Sequence, residues 1–143
     1  IESGRDPTRL GRWVWTQYRG KGNRRLRVVT AYRPCKKTTA SPYATWTQQR
    51  THFQSKNQDR EPRTAILDDL QSEINRWVAD GEHVVLMMDC NEDVRSEAIT
   101  RFLDACGMRD IVLERHGNDA PRTHKRGAHP IDAIFATHSF QCV

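Results

Sequence analysis

The segment from Pro62 to Asp89 constrains the fold of this chain more than any other. In PRTAILDDLQSEINRWVAD at 62–80, the residues Ile66, Leu67, Leu70, Ile74, Trp77 and Val78 recur at the spacing of one helical face. Pro62 suits a first helical turn, where its missing N–H is not needed, and Gly81 supplies a stop. HVVLMMD at 83–89 follows at once, and its unbroken apolar run predicts a strand covered on both sides, in the middle of a sheet. An amphipathic helix leading directly into a buried strand is a layered α/β arrangement.

The flanking sequence extends that arrangement. RWVWTQY at 12–18 and LRVVTAY at 26–32 are rich in β-branched and aromatic residues, with turn glycines in RGKGNR between them, and predict a β-hairpin. Leu26, Val28, Thr30 and Tyr32 then share one face, with Tyr32 at the strand's end, and Arg33-Pro34 breaks the ladder because proline donates no N–H. The polar stretch from Pro42 to Glu61, anchored by Trp46 and Phe53, predicts a short helix and a loop. SEAITRFLDACG at 96–107 predicts a second helix, with Ser96 as N-cap and Gly107 as its C-terminal signal. MRDIVLE at 108–114 reads as a strand, HGNDAPRTHKRGAHP as a loop, and PIDAIFAT at 130–137 as the last strand.

A chain of 143 residues holds one ordinary domain, and 36% hydrophobic against 29% charged residues fits a soluble globular protein. No apolar run reaches the roughly 18 residues of a membrane-spanning helix, and the polar opening IESGRDPTRLGR is not a signal peptide. An intracellular location, nuclear or cytoplasmic, is the expectation, with no membrane partner. The absence of an initiating Met suggests an internal fragment. With 23 Lys+Arg against 18 Asp+Glu, the chain favours an anionic partner, nucleic acid first among them, although a merely basic surface accounts for the same charge. Cys35, Cys90, Cys106 and Cys142 show no zinc-site spacing and read as free thiols.

Chemistry concentrates in MMDCNED at 88–94, directly after the apolar strand. Ligands of open α/β sheets gather at the carboxyl ends of strands. Asp89 and Asn91, two apart in an extended segment, point to the same side and could hold a water between a proton acceptor and an amide donor. The same residues also read as a polar turn capping the next helix. The calcium-loop reading fails, because Val94 and Thr100 stand where Gly and Glu are required. Asp132, flanked by Ile131, Ala133, Ile134 and Phe135, predicts a buried carboxylate that needs a partner or a proton. The six histidines form no metal-binding pair spacing and read as surface residues, and no GxSxG, Walker or GxGxxG sequence occurs.

Taken in order, these pieces resemble the endonuclease/exonuclease/phosphatase superfamily, in particular the abasic-endonuclease-like domains of non-LTR retrotransposons. TAYRP at 30–34 is similar to the family's Tyr-x-Pro element, and Met88-Asp89-Cys90-Asn91 to its Gly-Asp-Phe-Asn. Thr123 lies upstream of the last strand, and His129-Pro130-Ile131-Asp132-Ala133-Ile134 resembles (R/K)-x-D-(Y/H)-I. Met88 and Cys90 replace the family's Gly and Phe, and Cys35 stands where nucleases often carry Asn. The upstream asparagine and glutamate motifs and the downstream Ser-Asp-His have no counterpart.

The resemblance implies a single incomplete domain over 1–143, part of a four-layer α/β sandwich with a mixed β-sheet and helices packed outside. It implies that Asp89 orients or deprotonates the attacking water, that Asn91 stabilises the transition state, that Tyr32 contacts the scissile phosphate and that Asp132 orients a histidine. Thr123 would position a backbone phosphate, with Arg33, Arg122, Lys125 and Arg126 as further phosphate contacts. Mg2+, or Mn2+ in its place, would be the cofactor, with its primary ligands outside this chain. The expected function is a Mg2+-dependent phosphodiester hydrolase, a retroelement-like DNA endonuclease in its full-length form and inactive as this fragment. A non-catalytic nucleic-acid-binding fragment and a phosphatase-type member acting on a small phosphoester are the alternatives, and the oligomeric state is left open.

Overall fold

A computed structural model describes residues 1–35, 41–124 and 127–140. Among these residues six strands form one mixed sheet, in the order β1 (Glu2–Arg5), β2 (Trp13–Arg19), β3 (Arg25–Tyr32), β4 (Glu82–Asp89), β6 (Asp132–Thr137) and β5 (Met108–Asp110). The expected hairpin is β2 (Trp13–Arg19) and β3 (Arg25–Tyr32), paired antiparallel with Tyr18 opposite Leu26. Its turn bends through Gly22 and Asn23, both in the left-handed region. A short strand that the sequence reading missed, β1 (Glu2–Arg5), pairs with β2 at the sheet edge.

β3 runs parallel to β4 (Glu82–Asp89), and a parallel step requires a crossover. Here α1 (Thr45–Ser55) and α2 (Pro62–Ala79) make it. Glu61 caps α2 by accepting from the Thr64 N–H at 2.9 Å, and the same carboxylate accepts from the Trp46 indole at 2.7 Å. Gly81, at φ 80°, turns the chain from α2 into β4, a conformation that disfavours any residue with a Cβ. After β4 come α3 (Glu97–Cys106), β5 (Met108–Asp110), α4 (Ile111–His116) and β6 (Asp132–Thr137). Ser96 caps α3 and Gly107 ends it at φ 59°, as the sequence predicts.

The strand expected over 108–114 stops after three residues. Asp110 accepts from the N–H groups of Val112 and Leu113, at 2.8 and 2.9 Å, and this cap starts α4 instead.

One face of the sheet is the core. Trp13, Val29, Ala31, Val84, Leu86, Met88, Ala133 and Phe135 meet Ile66, Leu70, Ile74 and Trp77 of α2 and Ile99, Phe102 and Leu103 of α3. Each such Leu or Ile contributes roughly 1.5–3 kcal/mol by leaving water. Val78, expected on the apolar stripe of α2, lies instead on its exposed side. Within the core, Arg27 is buried between the rings of Trp15 and Trp77, at 3.9 and 4.5 Å from their centroids, and is held by both Glu82 oxygens at 2.7 and 2.9 Å.

The opposite face corrects the reading of β4 as covered on both sides. Val14, Tyr18, Tyr32, Met87 and Ile134 all lie there and are 38–55% exposed. The apolar run of β4 therefore supplies two different surfaces, the buried core and an exposed apolar sheet face. Among the described residues, no helix is long and apolar enough to cross a membrane.

Candidate active site

The register of three strands assembles the site. Because β3 and β4 are parallel, their carboxyl ends lie together, with Tyr32 opposite Asp89. Because β6 is antiparallel to β4, its first residue meets the last of β4, with Asp132 opposite Asp89. Tyr32, Asp89 and Asp132 thus form one row across three adjacent strands, on the exposed face. Residues 32, 89 and 132 of the sequence reading are brought together.

Asp132 is not buried as its apolar neighbours suggested. Alternation along β6 buries Ala133 and Phe135 and leaves Asp132 and Ile134 on the open face. Partial desolvation raises the Asp89 carboxyl above its ordinary pKa, and the facing Asp132 carboxylate raises it further. Two influences oppose this: the Asn91 N–H, which donates to Asp89 Oδ1 at 2.9 Å, and the positive form of His124. His124, read from the sequence as one more surface histidine, therefore belongs to the electrostatics of the site. Its position is linked to β6 through its neighbour Thr123, whose Oγ1 accepts from the N–H groups of Ile131 at 2.9 Å and Asp132 at 3.0 Å.

Asn91 departs from the expected extended geometry. Its φ of 47° turns the chain sharply after Asp89, so the two side chains do not simply project together. The Asn91 amide donates to the Arg33 carbonyl at 2.6 Å, and its Oδ1 accepts from the Cys35 thiol at 2.7 Å. The turn thereby ties the end of β4 to the end of β3. Tyr32 has its pKa raised, first by desolvation and then by the negative charges that Cys35 and Asp89 can carry. The Tyr32 hydroxyl is therefore a proton-bearing donor at neutral pH.

Arg33 is corrected as a phosphate contact. It is 4% exposed, and its guanidinium pairs with Glu92 and donates to the Arg63 carbonyl at 3.0 Å. Arg63 was not singled out in the sequence; it donates to the Pro34 carbonyl at 2.7 Å and to Glu92 Oε2 at 2.9 Å. Two arginines and one glutamate thus brace the backbone beneath the site. Arg122 is exposed beside Thr123. Lys125 and Arg126 lie outside the described residues.

Cys90 and Cys106 are buried free thiols, each pushed up to about 12 by desolvation, which keeps them protonated and inert. Beside the Asp89 row, the open face forms a largely apolar hollow of about 620 Å3, lined in part by Met87, Val112, Leu113, Pro121 and Ile134.

Mg2+ favours oxygen ligands in octahedral geometry, often one or two carboxylates plus water and substrate. Asp89 and Asp132 offer two carboxylates, but among the described residues no group of three His, Cys, Asp or Glu side chains could hold a metal ion. The pair does not by itself make a metal site.

No family model and no curated sequence matches the chain. Solved structures do match it. The human Nocturnin catalytic domain with bound sulfate superposes with a TM-score of 0.54 at 12% identity, over 88% of this chain and 41% of that one. A β-hairpin deletion mutant of Staphylococcus aureus beta toxin matches with a TM-score of 0.48 at 13% identity, over 92% and 45%. TDP2 of D. rerio, complexed with a single-strand DNA product, matches with a TM-score of 0.43 at 15% identity, over 96% and 52%. The chain spans about half or less of the length of these structures. The Nocturnin likeness shows a shared α/β fold, which among the described residues is a mixed six-stranded sheet with four helices packed against it.

Proposed function

We propose that this chain carries part of the active site of a Mg2+-dependent phosphodiester hydrolase that acts on nucleic acid, with DNA the substrate. The row Tyr32, Asp89 and Asp132 across the ends of three adjacent strands carries the reading. It sets a proton-bearing hydroxyl beside a carboxylate of raised pKa, at a strand end where side chains meet solvent from a rigid element. Asp89 accepts the proton of an attacking water, and Tyr32 donates to a phosphate oxygen. The Asn91 amide donates to the Arg33 carbonyl and also bears on the Tyr32 oxygen, so it holds the Tyr32 hydroxyl and the Asp89 turn together. The Thr123 oxygen accepts two backbone N–H groups, so its own O–H is left to donate to a backbone phosphate, with Arg122 next to it. Lys125 and Arg126 extend that basic loop. Asp132 serves to orient a histidine.

A bound Mg2+ would supply Lewis-acid chemistry at the phosphate, and Asp89 and Asp132 are the carboxylates that would face it, short of a full ligand set among the described residues. The excess of five positive charges supports a nucleic-acid partner, and the retrotransposon-like motifs favour DNA. The apolar hollow beside Asp89 favours a second reading, a small phosphoester with an apolar leaving group.

Supercoiled-plasmid nicking with Mg2+ tests the proposal, run on this chain and on a version extended along its reading frame. Cleavage by the extended chain, lowered by about 10²–10⁴-fold in Asp89→Ala, is expected. A chromogenic phosphodiester assayed in parallel decides the second reading. No cleavage of either substrate by the extended chain sinks both.

A further inference from the structure

Cys35 comes three residues after Tyr32, the last residue of β3, and is an exposed free thiol. The backbone just before it is braced. The Arg33 N–H donates to the Asp89 carbonyl at 2.9 Å, and Arg63 donates to the Pro34 carbonyl at 2.7 Å. The thiol is thereby set between the ends of β3 and β4. Its Sγ lies 2.7 Å from Asn91 Oδ1, and it also meets the Tyr32 hydroxyl.

Donor and acceptor roles in this cluster follow by elimination. The Arg33 carbonyl can only accept, so the Asn91 atom 2.6 Å from it is the amide nitrogen. The oxygen end of Asn91 therefore faces Cys35, and the S–H must donate to it. The second Asn91 N–H is directed to the Tyr32 oxygen. That leaves the phenol proton for the Cys35 sulfur, whose own proton is already given to Asn91. Cys35, Asn91 and Tyr32 thus close a ring in which each group donates to the next, and bonds arranged head to tail polarise one another.

Sulfur is a weak acceptor. A phosphate oxygen is charged, and hydrogen bonds to a charged acceptor are roughly twice as strong as neutral ones. We infer that Cys35 is a positioning residue for Tyr32: its S–H locks the Asn91 amide, and its sulfur keeps the phenol proton aimed until a stronger oxygen acceptor takes it. Identifying that acceptor as a substrate phosphate rests on the phosphodiester reading; the ring itself does not. The role requires no reactivity of the thiol, so Ser should substitute for it where Ala cannot.

NMR of the 143-residue chain, 13C-labelled at tyrosine Cζ and 15N-labelled, tests this. Both influences of Cys35 on Tyr32, the hydrogen bond and the charge it can carry, raise the phenol pKa. Ser keeps the bond alone and Ala keeps neither. The Tyr32 midpoint is therefore expected to fall from wild type to Cys35→Ser and again to Cys35→Ala. Exchange of the Asn91 side-chain N–H protons should quicken by about two- to ten-fold in Cys35→Ala, the worth of one ordinary hydrogen bond, and be restored in Cys35→Ser. Urea midpoints should not move, because Cys35 is exposed. A Tyr32 midpoint shared by wild type and Cys35→Ala, or a Cys35→Ser variant that behaves as Cys35→Ala in both measurements, would overturn the assignment. In the chain extended along its reading frame, Cys35→Ala should lower kcat for phosphodiester cleavage by about two- to ten-fold with KM held, and an unchanged kcat would overturn it as well. If the extended chain cleaves nothing while the NMR order holds, the phosphodiester reading fails and the Cys35 ring stands.

Discussion

Asp89 and Asp132 face each other as cross-strand partners, the last residue of β4 against the first of β6. Two like charges at directly opposed positions destabilise a sheet, and the fold keeps them at a strand end where solvent screens the repulsion. A carboxyl whose folded pKa is raised stabilises the fold below its unfolded pKa and loses that contribution as pH rises through the folded value. Asp89 is such a group, through desolvation first and Asp132 second. Asp132→Asn should therefore lower the Asp89 titration midpoint and add about 0.2–1 kcal/mol of stability at pH 7, with the gain vanishing near pH 3. Carbon-detected NMR titration and urea unfolding at both pH values measure this. An unmoved Asp89 midpoint would show that the two carboxylates do not interact.

Much of this row was legible because strand periodicity is rigid. Once Leu26 to Tyr32 and His83 to Asp89 are strands, the faces of Tyr32 and Asp89 follow, and both residues occupy the predicted strand ends. What stayed hidden depends on pairing or on turn geometry. The row needs β6 beside β4, a nonlocal register that single-sequence periodicity does not encode. The left-handed turn at Asn91 arises from the Asp89 carboxylate capping the Asn91 N–H, and DCNED reads equally well as extended chain. An apolar run such as VVLMM predicts a strand without telling which of its faces is covered.

The buried Arg27–Glu82 pair has no sequence signature, yet its removal should be felt strongly. Gln17 Nε2 also donates to Glu82 Oε1, at 2.7 Å, so one carboxylate satisfies two buried side chains. Glu82→Ala leaves the Arg27 guanidinium uncompensated between Trp15 and Trp77, and a loss of about 3–5 kcal/mol is expected. Replacing both partners by apolar residues, Arg27→Met with Glu82→Leu, should recover most of it. Chemical denaturation of the two variants checks the ordering; a double variant no more stable than Glu82→Ala would refute it.

Asp110 combines a cap with a strained protonation state. Its Oδ1 accepts from Val112 and Leu113, while Oδ2 is buried without a hydrogen-bond partner and burial raises its pKa. By the same sign as for Asp89, the charged form weakens the fold as pH rises through the raised value. Asp110→Asn keeps an oxygen for the cap and removes the charge, so it should be neutral or stabilising at pH 7. Asp110→Ala removes the cap and should cost about 0.5–2 kcal/mol. Thermal unfolding across pH 4 to 8 separates the two, and equal losses in both variants would contradict a role for the buried charge.

Glu92 is the point where the bracing beneath the site can be cut. It pairs with Arg33 and Arg63, which between them also hold the Arg63, Pro34 and Asn91 carbonyls. Those ion pairs depress the Glu92 carboxyl below its ordinary range against an opposing desolvation penalty, the largest single influence on it. A carboxyl of depressed folded pKa contributes stability above its unfolded pKa and loses it as pH falls through the folded value. Glu92→Gln keeps the shape but leaves two cations facing each other, one of them buried, so a loss of about 1–3 kcal/mol at pH 7 is expected, shrinking toward pH 3. The effect should reach the site as well. With Arg33 and Arg63 released, the Asn91 turn loses its underside, and amide hydrogen exchange at Cys90, Asn91 and Glu92 should quicken while the α2 core stays protected. Exchange that quickens evenly across the sheet would mean that Glu92 supports the fold in general, with no particular role in holding the end of β4.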